Sequence, residues 1–374
     1  MPNRYLNFKN TAQNITMIDK NIKALFLTRY SQTGASSRYR FIQYFPYFEE
    51  VGINCIHKPL FDDSYLEKLY ESNRKPPISV IRQYLSRVRT IFNSDEYDVI
   101  LLEKELFPYL PATFERILDW RETPYIVDYD DAVFHNYDQS ENILVRSILG
   151  DKIDVVMRSS DAVVAGNEYL ADRARAAGAS RVEVIPTVID IDRYRRSLPD
   201  HVDPFVIGWI GSPSTFHYVE GISEALETVC EERDAELAFV GSGREEFKVE
   251  PNQMIEWSEE TEVDSICEFD VGIMPLQDGP WERGKCGLKL IQYMGCGKPV
   301  VASPVGMNES IVSEGKTGYF ASNHHEWVDR LTYLADNTDL ARQLGENGFN
   351  RVQQKYCMSV TAPKLVELIR GVTS

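Results

Sequence analysis

The chain has 374 residues, of which 43% are hydrophobic and 26% are charged. This length allows two domains of ordinary size, and the composition is that of a folded globular protein rather than a disordered chain. The net charge of −17 argues against nucleic acid as a partner. No apolar run approaches the roughly 18 residues that a membrane-spanning helix needs.

The cysteines and the first residues bear on the cellular compartment. Six cysteines are scattered without any C-x-x-C pair, which argues against a zinc site and against a disulfide framework. Residues 1–21 hold no apolar segment of the kind that a secretory signal requires, so we expect a flexible lead-in. A reducing, cytoplasmic environment is therefore predicted.

Apolar, β-branched runs alternate with stretches of helical periodicity from residue 22 onward. In the first half of the chain these runs cover 23–28, 97–103, 125–128, 161–166 and 182–187. Because most of them are apolar at nearly every position, they fit strands of a parallel sheet that helices cover on both faces. We therefore predict a doubly wound, Rossmann-like α/β domain over 22–196.

The same alternation begins again after a polar stretch, 197–204, which is predicted to be a linker. Apolar runs follow at 205–211, 236–243, 254–257, 270–275 and 299–303. A second Rossmann-like domain is predicted over 205–355 and a terminal helix over 356–374. The predicted fold class is thus α/β, with two doubly wound domains in series and ligands at the strand ends.

Two segments of the first half place polar side chains where predicted strands end. TRYSQTGASSRYR (28–40) offers Gly34, Ser36 and Arg38, and the guanidinium suits a phosphate or carboxylate on the acceptor side, although a solvated arginine is the alternative. YIVDYDDAVF (125–134) brings Asp128, Asp130 and Asp131 together. These carboxylates could bind a metal as a D-x-D pair, bind hydroxyls or accept a proton, or cap a turn.

In the second half, Gly211, Ser212 and Thr215 follow a predicted strand. A glycine turn, hydroxyls and a helix start suit a phosphate, and an ordinary strand–helix turn with a capping hydroxyl is the alternative.

The segment GKCGLKLIQYM (284–294) begins a second predicted helix near Leu288. Its backbone N–H groups and helix dipole, with a lysine beside them, predict a diphosphate socket. A core helix whose lysines reach solvent is the alternative. The candidates in this segment are Lys285, Cys286, Gly287, Leu288 and Lys289.

Residues 65–93 carry six basic residues and two acidic ones, with aromatic residues between them. Such a basic amphipathic stretch can contact anionic lipid, and a solvated helix face is the alternative.

Taken together, GLKLIQYMGCGKPVVAS (287–303), the restart after the linker, IPTVID (185–190) and DYDDAVF (128–134) resemble a retaining GT-B glycosyltransferase of the family-four type. The resemblance implies a terminal helix that crosses back to the first domain and a cleft between the domains. It implies a nucleotide-sugar donor, most commonly of UDP, on the second domain and a glycan or lipid-linked glycan acceptor on the first. It also implies transfer with retention and without a metal or other cofactor.

The family's two signature glutamates correspond here to Gly284 and Gln292. The resemblance gives Gln292 the ribose contact, because an amide can donate to and accept from hydroxyls. The basic residues that relatives place after the first strand of the second domain are also missing after Gly211. We therefore expect Lys285 to neutralise the diphosphate, while the role of Lys289 stays undecided.

The resemblance also assigns the remaining site residues. Asp130 stands where relatives often have a histidine, and in the front-side mechanism it orients the acceptor while the leaving phosphate takes the acceptor's proton. The predicted catalytic residues are Asp130, Asp131 and Lys285. Gly241, Trp257 and Ser258 complete the donor site, with the nucleobase expected near the last two.

Two other functions remain open at this point. A nucleotide-sugar epimerase on the same scaffold needs an acid and a base around the sugar ring, and His217 is the candidate for one of them. A non-catalytic subunit of GT-B type that has lost the signature glutamates is the second alternative.

Overall fold

The computed structural model describes residues 21–62, 77–194 and 204–374. These residues divide into two compact units, and the chain enters the second unit at Thr187 and returns to the first at Met358. Residues 1–20 of the predicted lead-in and 197–203 of the predicted linker lie outside the described ranges. Within those ranges, no helix is long and apolar enough to cross a membrane.

The first unit is built on a sheet of six parallel strands in the order β2-β1-β3-β4-β5-β6. The strands are β1 (Ile22–Leu27), β2 (Ile53–His57), β3 (Val99–Glu103), β4 (Tyr125–Tyr129), β5 (Ala162–Ala165) and β6 (Val182–Val184). Strands β3, β4 and β5 are buried at every position, which is the pattern of parallel strands covered on both faces.

Helices follow the strands of the first unit. They are α1 (Ala35–Arg40), α2 (Phe45–Glu50), α3 (Pro77–Phe92), α4 (Thr113–Trp120), α5 (His135–Asp138), α6 (Ile143–Leu149), α7 (Lys152–Ser159) and α8 (Glu168–Ala177). Local chemistry sets their ends: the side chain of Asn167 accepts from the N–H of Leu170 at the start of α8, and Gly178 ends it with a φ of 88°.

The second unit is built on a sheet in the order β12-β11-β10-β7-β8-β9, again with parallel strands. The strands are β7 (Phe205–Ile210), β8 (Ala235–Val240), β9 (Asn252–Ile255), β10 (Val271–Met274), β11 (Val300–Ala302) and β12 (Gly318–Phe320). The helices are α9 (His217–Glu220), α10 (Ser223–Glu232), α11 (Glu262–Cys267), α12 (Pro280–Arg283), α13 (Leu288–Gly295), α14 (Met307–Ile311), α15 (His324–Asp336) and α16 (Thr338–Lys355).

The last helix, α17 (Met358–Val372), returns to the first unit. The hydroxyls of Tyr44 and Thr361 lie 2.7 Å apart, and Arg370 donates to the carbonyl of Val51 at 2.9 Å. The predicted α/β fold of two doubly wound parts with a returning terminal helix is therefore confirmed.

Each sheet has one place where the strand order reverses direction, between β1 and β3 in the first unit and between β7 and β10 in the second. Connections leave in opposite directions there, so the carboxyl ends of the two strands border a crevice in which open α/β sheets bind ligands. The segments after β1, β3, β7 and β10 are thus the expected positions of ligand-binding residues.

Candidate active site

In the first unit, the predicted carboxylates at the end of β4 all face basic side chains. Buried Asp128 accepts two hydrogen bonds from Arg40, at 2.8 Å from Nε and 2.6 Å from Nη2. Burial raises the pKa of Asp128, and the guanidinium of Arg40 offsets part of that rise. Arg40 also donates to the carbonyl of Ile185 at 2.9 Å, so this pair ties α1 to the chain after β6.

Asp130 and Asp131 share one cation, the ammonium of Lys104. Its Nζ lies 2.9 Å from Oδ1 of Asp130 and 3.3 Å from Oδ2 of Asp131, and it also contacts the hydroxyl of Ser36 at 3.3 Å. The side chain of Asp130 is 12% exposed and that of Asp131 is 28% exposed. The two carboxylates are therefore fixed in place while an edge of each stays accessible.

Lys104 determines the protonation state of this cluster. Burial opposes ionisation of Asp130, but Lys104 and the hydroxyl of Ser36 outweigh it and hold the pKa of Asp130 below its usual value. Burial likewise opposes the charge of Lys104, yet Asp130, Asp131 and Glu103 together raise its pKa. The cluster consequently stays ionised at neutral pH.

Glu103 connects the cluster to the start of α1. Its Oε2 accepts from the backbone N–H of Arg29 at 2.8 Å and from the hydroxyl of Ser37 at 2.6 Å. Burial raises the pKa of Glu103. The end of β1, the end of β3 and the first turn of α1 are thus held by one buried carboxyl group.

The predicted acceptor-side residues fall into two groups. Ser36 belongs to the Lys104 cluster, and Gly34 leaves no room for a side chain, since a Cβ would lie 2.6 Å from Cβ of Tyr30. Arg38, in contrast, is only 3% exposed; it donates to the carbonyl of Gln32 at 3.2 Å and stacks on Tyr39. Arg38 is therefore not the solvated arginine given as the alternative, and its acceptor-side role stays a prediction.

The geometry does not fit the D-x-D metal site considered above. A metal at Asp128 and Asp130 would have to compete with Arg40 on one carboxylate and with Lys104 on the other. Over the three described ranges, no group of three or more histidine, cysteine, aspartate or glutamate side chains is arranged to hold a metal ion.

In the second unit, the segment after β7 folds as a tight turn. The N–H of Ser212 donates to Oγ1 of Thr215 at 3.3 Å, and the N–H of Thr215 donates to the carbonyl of Ser212 at 2.9 Å. The capping alternative is therefore present in the structure. Capping is not the only contact of Thr215, because its hydroxyl also lies within hydrogen-bond distance of a lysine from another helix.

That lysine is Lys289, in the first turn of α13. Its Nζ lies 3.3 Å from Oγ1 of Thr215 and 4.4 Å from the centre of the Trp209 ring. A Cβ on Gly211 would come within 2.8 Å of the same Nζ, so the glycine makes room for the ammonium. Burial, followed by the charge of Lys285, lowers the pKa of Lys289 to about 7. A lysine of α13 thus lies against the segment after β7, which holds no basic residue of its own at 211–216.

Lys285 lies at the same edge, in the segment between α12 and α13. Its Nζ is 5.9 Å from the ring centres of Tyr218 and Trp281. The hydroxyl of Tyr218 donates to Glu282, which links the start of α9 to α12. The two lysines are close enough for one charge to affect the titration of the other.

Helix α13 begins after Gly287, whose φ of 66° is one that L side chains rarely adopt; a Cβ there would also lie 2.3 Å from Cδ1 of Ile311, which would have to move. The first amides of a helix lack intrahelical acceptors and carry the positive end of its dipole. The predicted N–H donors of Cys286, Gly287 and Leu288 therefore lie at this helix start, beside both lysines.

Gln292 lies one turn further into α13 and is 3% exposed. Its Nε2 donates to the hydroxyl of Tyr194 at 3.1 Å, and that hydroxyl donates to Oε1 of Glu262 at 3.2 Å. Oε2 of Glu262 accepts from Nε1 of Trp257 at 2.9 Å. The chain of bonds requires a donor at position 292, which an amide provides and an ionised glutamate cannot.

Trp257 and Gly241, two other donor-site candidates, lie next to each other. A Cβ on Gly241 would be 3.0 Å from Cβ of Trp257 and 2.5 Å from the carbonyl of Gly211. Ser258 lies beside them in sequence, with its hydroxyl 2.9 Å from that of Thr261. These candidates therefore border the segment after β7.

His217, the acid–base candidate for an epimerase, is exposed, and its Nδ1 is 3.0 Å from the carbonyl of Ser214.

The basic stretch 65–93 is described only in part, because residues 65–76 lie outside the described ranges. Arg87 is buried and donates to the carbonyls of Thr28 and Lys58, so it does not contribute to a lipid-facing surface.

Sequence reasoning missed Lys104, Tyr194 and Glu262. A signal existed for Lys104, because it follows Glu103 at the carboxyl end of a strand whose other residues, 99–102, are all apolar. No local signal existed for the other two, since Tyr194 and Gln292 are 98 positions apart.

Comparisons with known proteins concern both parts of the chain. Residues 204–337 match the family Glycosyl transferases group 1. D-inositol 3-phosphate glycosyltransferase of Corynebacterium urealyticum is 25% identical over 294 residues, 68% of this chain and 66% of that protein. Trehalose synthase of Thermococcus litoralis is 25% identical over 85 residues, 23% of this chain and 21% of the relative. The chain thus aligns with less than two thirds of each of these relatives.

Solved structures match over most of the chain. Sucrose-phosphate synthase of Thermosynechococcus elongatus superposes with a TM-score of 0.70 at 14% identity, covering 94% of this chain and 99% of the other. Anabaena HepE in complex with UDP-glucose gives 0.67 at 15% identity, covering 94% and 100%. The fold is GT-B. At these sequence identities, the structural similarity establishes the GT-B fold alone. The family match places a glycosyl transferases group 1 domain in the second unit of this chain.

Proposed function

We propose that the protein is a retaining, metal-independent glycosyltransferase that uses a nucleoside diphosphate sugar. The group 1 domain and the glycosyltransferase among the relatives support the transferase activity. UDP is the favoured nucleotide because HepE, a structural neighbour, was solved with UDP and with UDP-glucose. We further propose a glycan or lipid-linked glycan acceptor, a role in surface polysaccharide biosynthesis, and a cytoplasmic location with peripheral membrane contact.

This proposal rests mainly on one observation: Lys285 and Lys289 both lie at the start of α13, and Lys289 contacts the turn at Thr215. Two ammonium groups at one helix start repel each other, and the depressed pKa of Lys289 reflects burial and that repulsion. A diphosphate supplies negative charge to both cations and acceptor oxygens to the helix N–H groups. The same arrangement stabilises the nucleoside diphosphate as it leaves.

In the proposed reaction, the bond between C1 of the sugar and the β-phosphate oxygen breaks, and its electron pair stays on the phosphate. The acceptor hydroxyl oxygen forms a new bond to C1 on the same face. Its proton passes to the leaving phosphate oxygen, so the products are the glycosylated acceptor and the nucleoside diphosphate. Donors aimed at the developing phosphate charge lower the barrier.

Asp130 and Asp131 serve the acceptor in this proposal. Both carboxylates have an accessible edge at which their oxygens can accept hydrogen bonds from sugar hydroxyls. Because Lys104 lies against both carboxylates, its single positive charge relieves part of the repulsion between them without a metal.

A screen of UDP-, GDP- and ADP-sugars tests the proposal. We expect one nucleotide class to raise the melting temperature and to release nucleoside diphosphate, in reactions that a chelator does not inhibit. An isomerised donor sugar would instead establish the epimerase, and binding without hydrolysis or transfer from any donor would establish the non-catalytic subunit.

A further inference from the structure

The exposed apolar side chains of the molecule are unevenly distributed. Among the residues that the structure describes, nine large hydrophobic side chains are exposed, and eight of them belong to the first unit. These eight are Ile81, Leu85, Phe92, Tyr109, Leu110, Ile143, Leu144 and Ile148. Single exposed hydrophobic residues are ordinary, whereas a contiguous exposed apolar patch marks an interaction surface.

Three of them form a stripe along α3. At about 100° per residue, Ile81, Leu85 and Phe92 point within about 40° of one another. They are 61%, 65% and 50% exposed. The opposite side of the helix is buried, as the low exposure of Arg87 and Ile91 shows. Helix α3 therefore packs on the unit with one face and presents a second apolar face outward.

Packing connects α3 to the other exposed residues. The hydroxyl of Tyr84 donates to the carbonyl of Pro108 at 3.0 Å, which brings the segment after β3 against the helix. The next residue, Tyr109, has a φ of 60° and is 56% exposed, and its ring packs edge-on against Tyr137 of α5 at 5.6 Å. Helix α5 in turn contacts α6, which carries Ile143, Leu144 and Ile148.

The charge of the two helices differs from that of the whole chain. The segments Pro77–Phe92 and Ile143–Leu149 hold three exposed arginines besides the buried Arg87, and no acidic residue, in a chain of net charge −17. Arg82 and Arg89 are exposed beside the α3 stripe. Asp95, which follows this helix, is paired with Arg121 at 2.6 Å. A basic, apolar helix face of this kind is complementary to an anionic lipid surface.

We propose that the exposed faces of α3 and α6, together with Tyr109 and Leu110, form a lipid-docking surface that holds the first unit on an anionic membrane. Its biological role rests on the proposed lipid-linked acceptor: docking would hold Asp130 and Asp131 near a substrate that stays in the membrane. The sequence predicted lipid contact only through 65–93. The structure excludes the buried Arg87 from that surface and adds the exposed residues of α6 to it.

The test is sedimentation of the full-length protein with vesicles of phosphatidylcholine alone or mixed with phosphatidylglycerol. We expect binding to the anionic vesicles that weakens as salt is raised. The double variant Ile81→Ser/Leu85→Ser should lower the partition coefficient at least about tenfold, and Leu144→Ser/Ile148→Ser should act similarly. Because these side chains are exposed, the variants should keep the wild-type melting temperature.

Tyr333→Ser is the matched control, because Tyr333 is the exposed aromatic of the second unit in the described ranges. Equal loss in that control, or no binding of the wild type to anionic vesicles, would overturn the proposal. So would a wild-type dimer that the α3 variant converts to monomer without any vesicle binding. The vesicles contain no sugar nucleotide or acceptor, so a failed transferase assay leaves this result unaffected.

Discussion

The ammonium of Lys104 lies 2.9 Å from Asp130 and 3.3 Å from Asp131, so one buried cation serves two carboxylates that are adjacent in sequence. The backbone of Lys104 has a φ of 63°, in the left-handed region that residues other than glycine rarely adopt. Strained backbone persists where the surrounding structure requires it, often at functional sites. Lys104 is therefore a positioning residue for the proposed acceptor site.

Lys104→Met should destabilise the protein by about 3–5 kcal/mol, because it leaves the buried Glu103 and the partly buried Asp130 and Asp131 without their shared cation. Urea unfolding at pH 7 measures this, and Lys104→Met/Asp130→Asn should recover part of the loss. Folding lowers the pKa of Asp130 and raises that of Lys104. The stabilisation is thus present at neutral pH and is lost only as pH falls through the lowered pKa of Asp130, or rises through the raised pKa of Lys104. A pH-independent difference down to pH 2 would contradict this account.

Asp130→Asn should leave donor binding unchanged and reduce transfer, because the residue belongs to the first unit and faces Lys104 rather than the lysines of α13. Calorimetric titration with the nucleoside diphosphate measures the first effect, and product formation measures the second. A weakened donor affinity in this variant would move Asp130 from the acceptor to the donor site.

Lys285→Ala should lower turnover roughly a hundredfold, since removing one donor aimed at a developing charge typically raises the barrier by about 3–4 kcal/mol. Lys316→Ala, which changes an exposed lysine of the same unit, is the control. Near-normal turnover in Lys285→Ala would leave Lys289 as the sole cation of the socket.

Lys289→Met should stabilise the free protein more at pH 6 than at pH 10. The pKa of Lys289 falls to about 7 on folding from an ordinary value of 10.5. The folded chain therefore binds fewer protons between these values, and the penalty is complete below about pH 7 and fades as pH rises to 10.5. At about 1.4 kcal/mol per pKa unit, the drop from 10.5 to about 7 corresponds to a gain of up to about 5 kcal/mol. Melting temperatures at both pH values decide it, and equal shifts at the two would refute the assignment.

The same titration predicts proton uptake on donor binding. A diphosphate beside Lys289 favours the charged ammonium, so binding near pH 8 should take up a proton. Calorimetry in two buffers with different ionisation enthalpies measures the uptake, and it should disappear in Lys289→Met.

Gln292→Glu should destabilise the protein by about 1–3 kcal/mol at pH 7, because the hydroxyl of Tyr194 already donates to Glu262 and a carboxylate at position 292 offers it no donor. The exchange variant Gln292→Glu/Glu262→Gln reverses the polarity of the chain of bonds and should recover much of the loss. If the single variant unfolds at the wild-type urea concentration, the network does not explain the glutamine.

The alternating pattern of apolar strands and amphipathic helices specified both sheets, because burial on two faces demands apolar residues at nearly every strand position. The helix start within the segment from Gly284 to Gln292 was likewise predictable, since a glycine-rich helix start has a local sequence signature. The roles of Lys289 and Arg38 were not. Whether a basic side chain faces solvent, a carbonyl or a second loop depends on which elements pack beside it.

By itself, the sequence determined the α/β class, the two doubly wound parts, a terminal helix and the strand ends at which to look for a site, while the family resemblance implied that this helix returns to the first unit. Tertiary structure alone decided that Lys104 pairs with both Asp130 and Asp131, that Lys289 contacts Thr215, and that Gln292 donates a hydrogen bond to Tyr194. The physical reason is range. Hydrophobic periodicity is a property of neighbouring residues, whereas an ion pair or hydrogen bond forms between side chains that only the assembled sheet brings together.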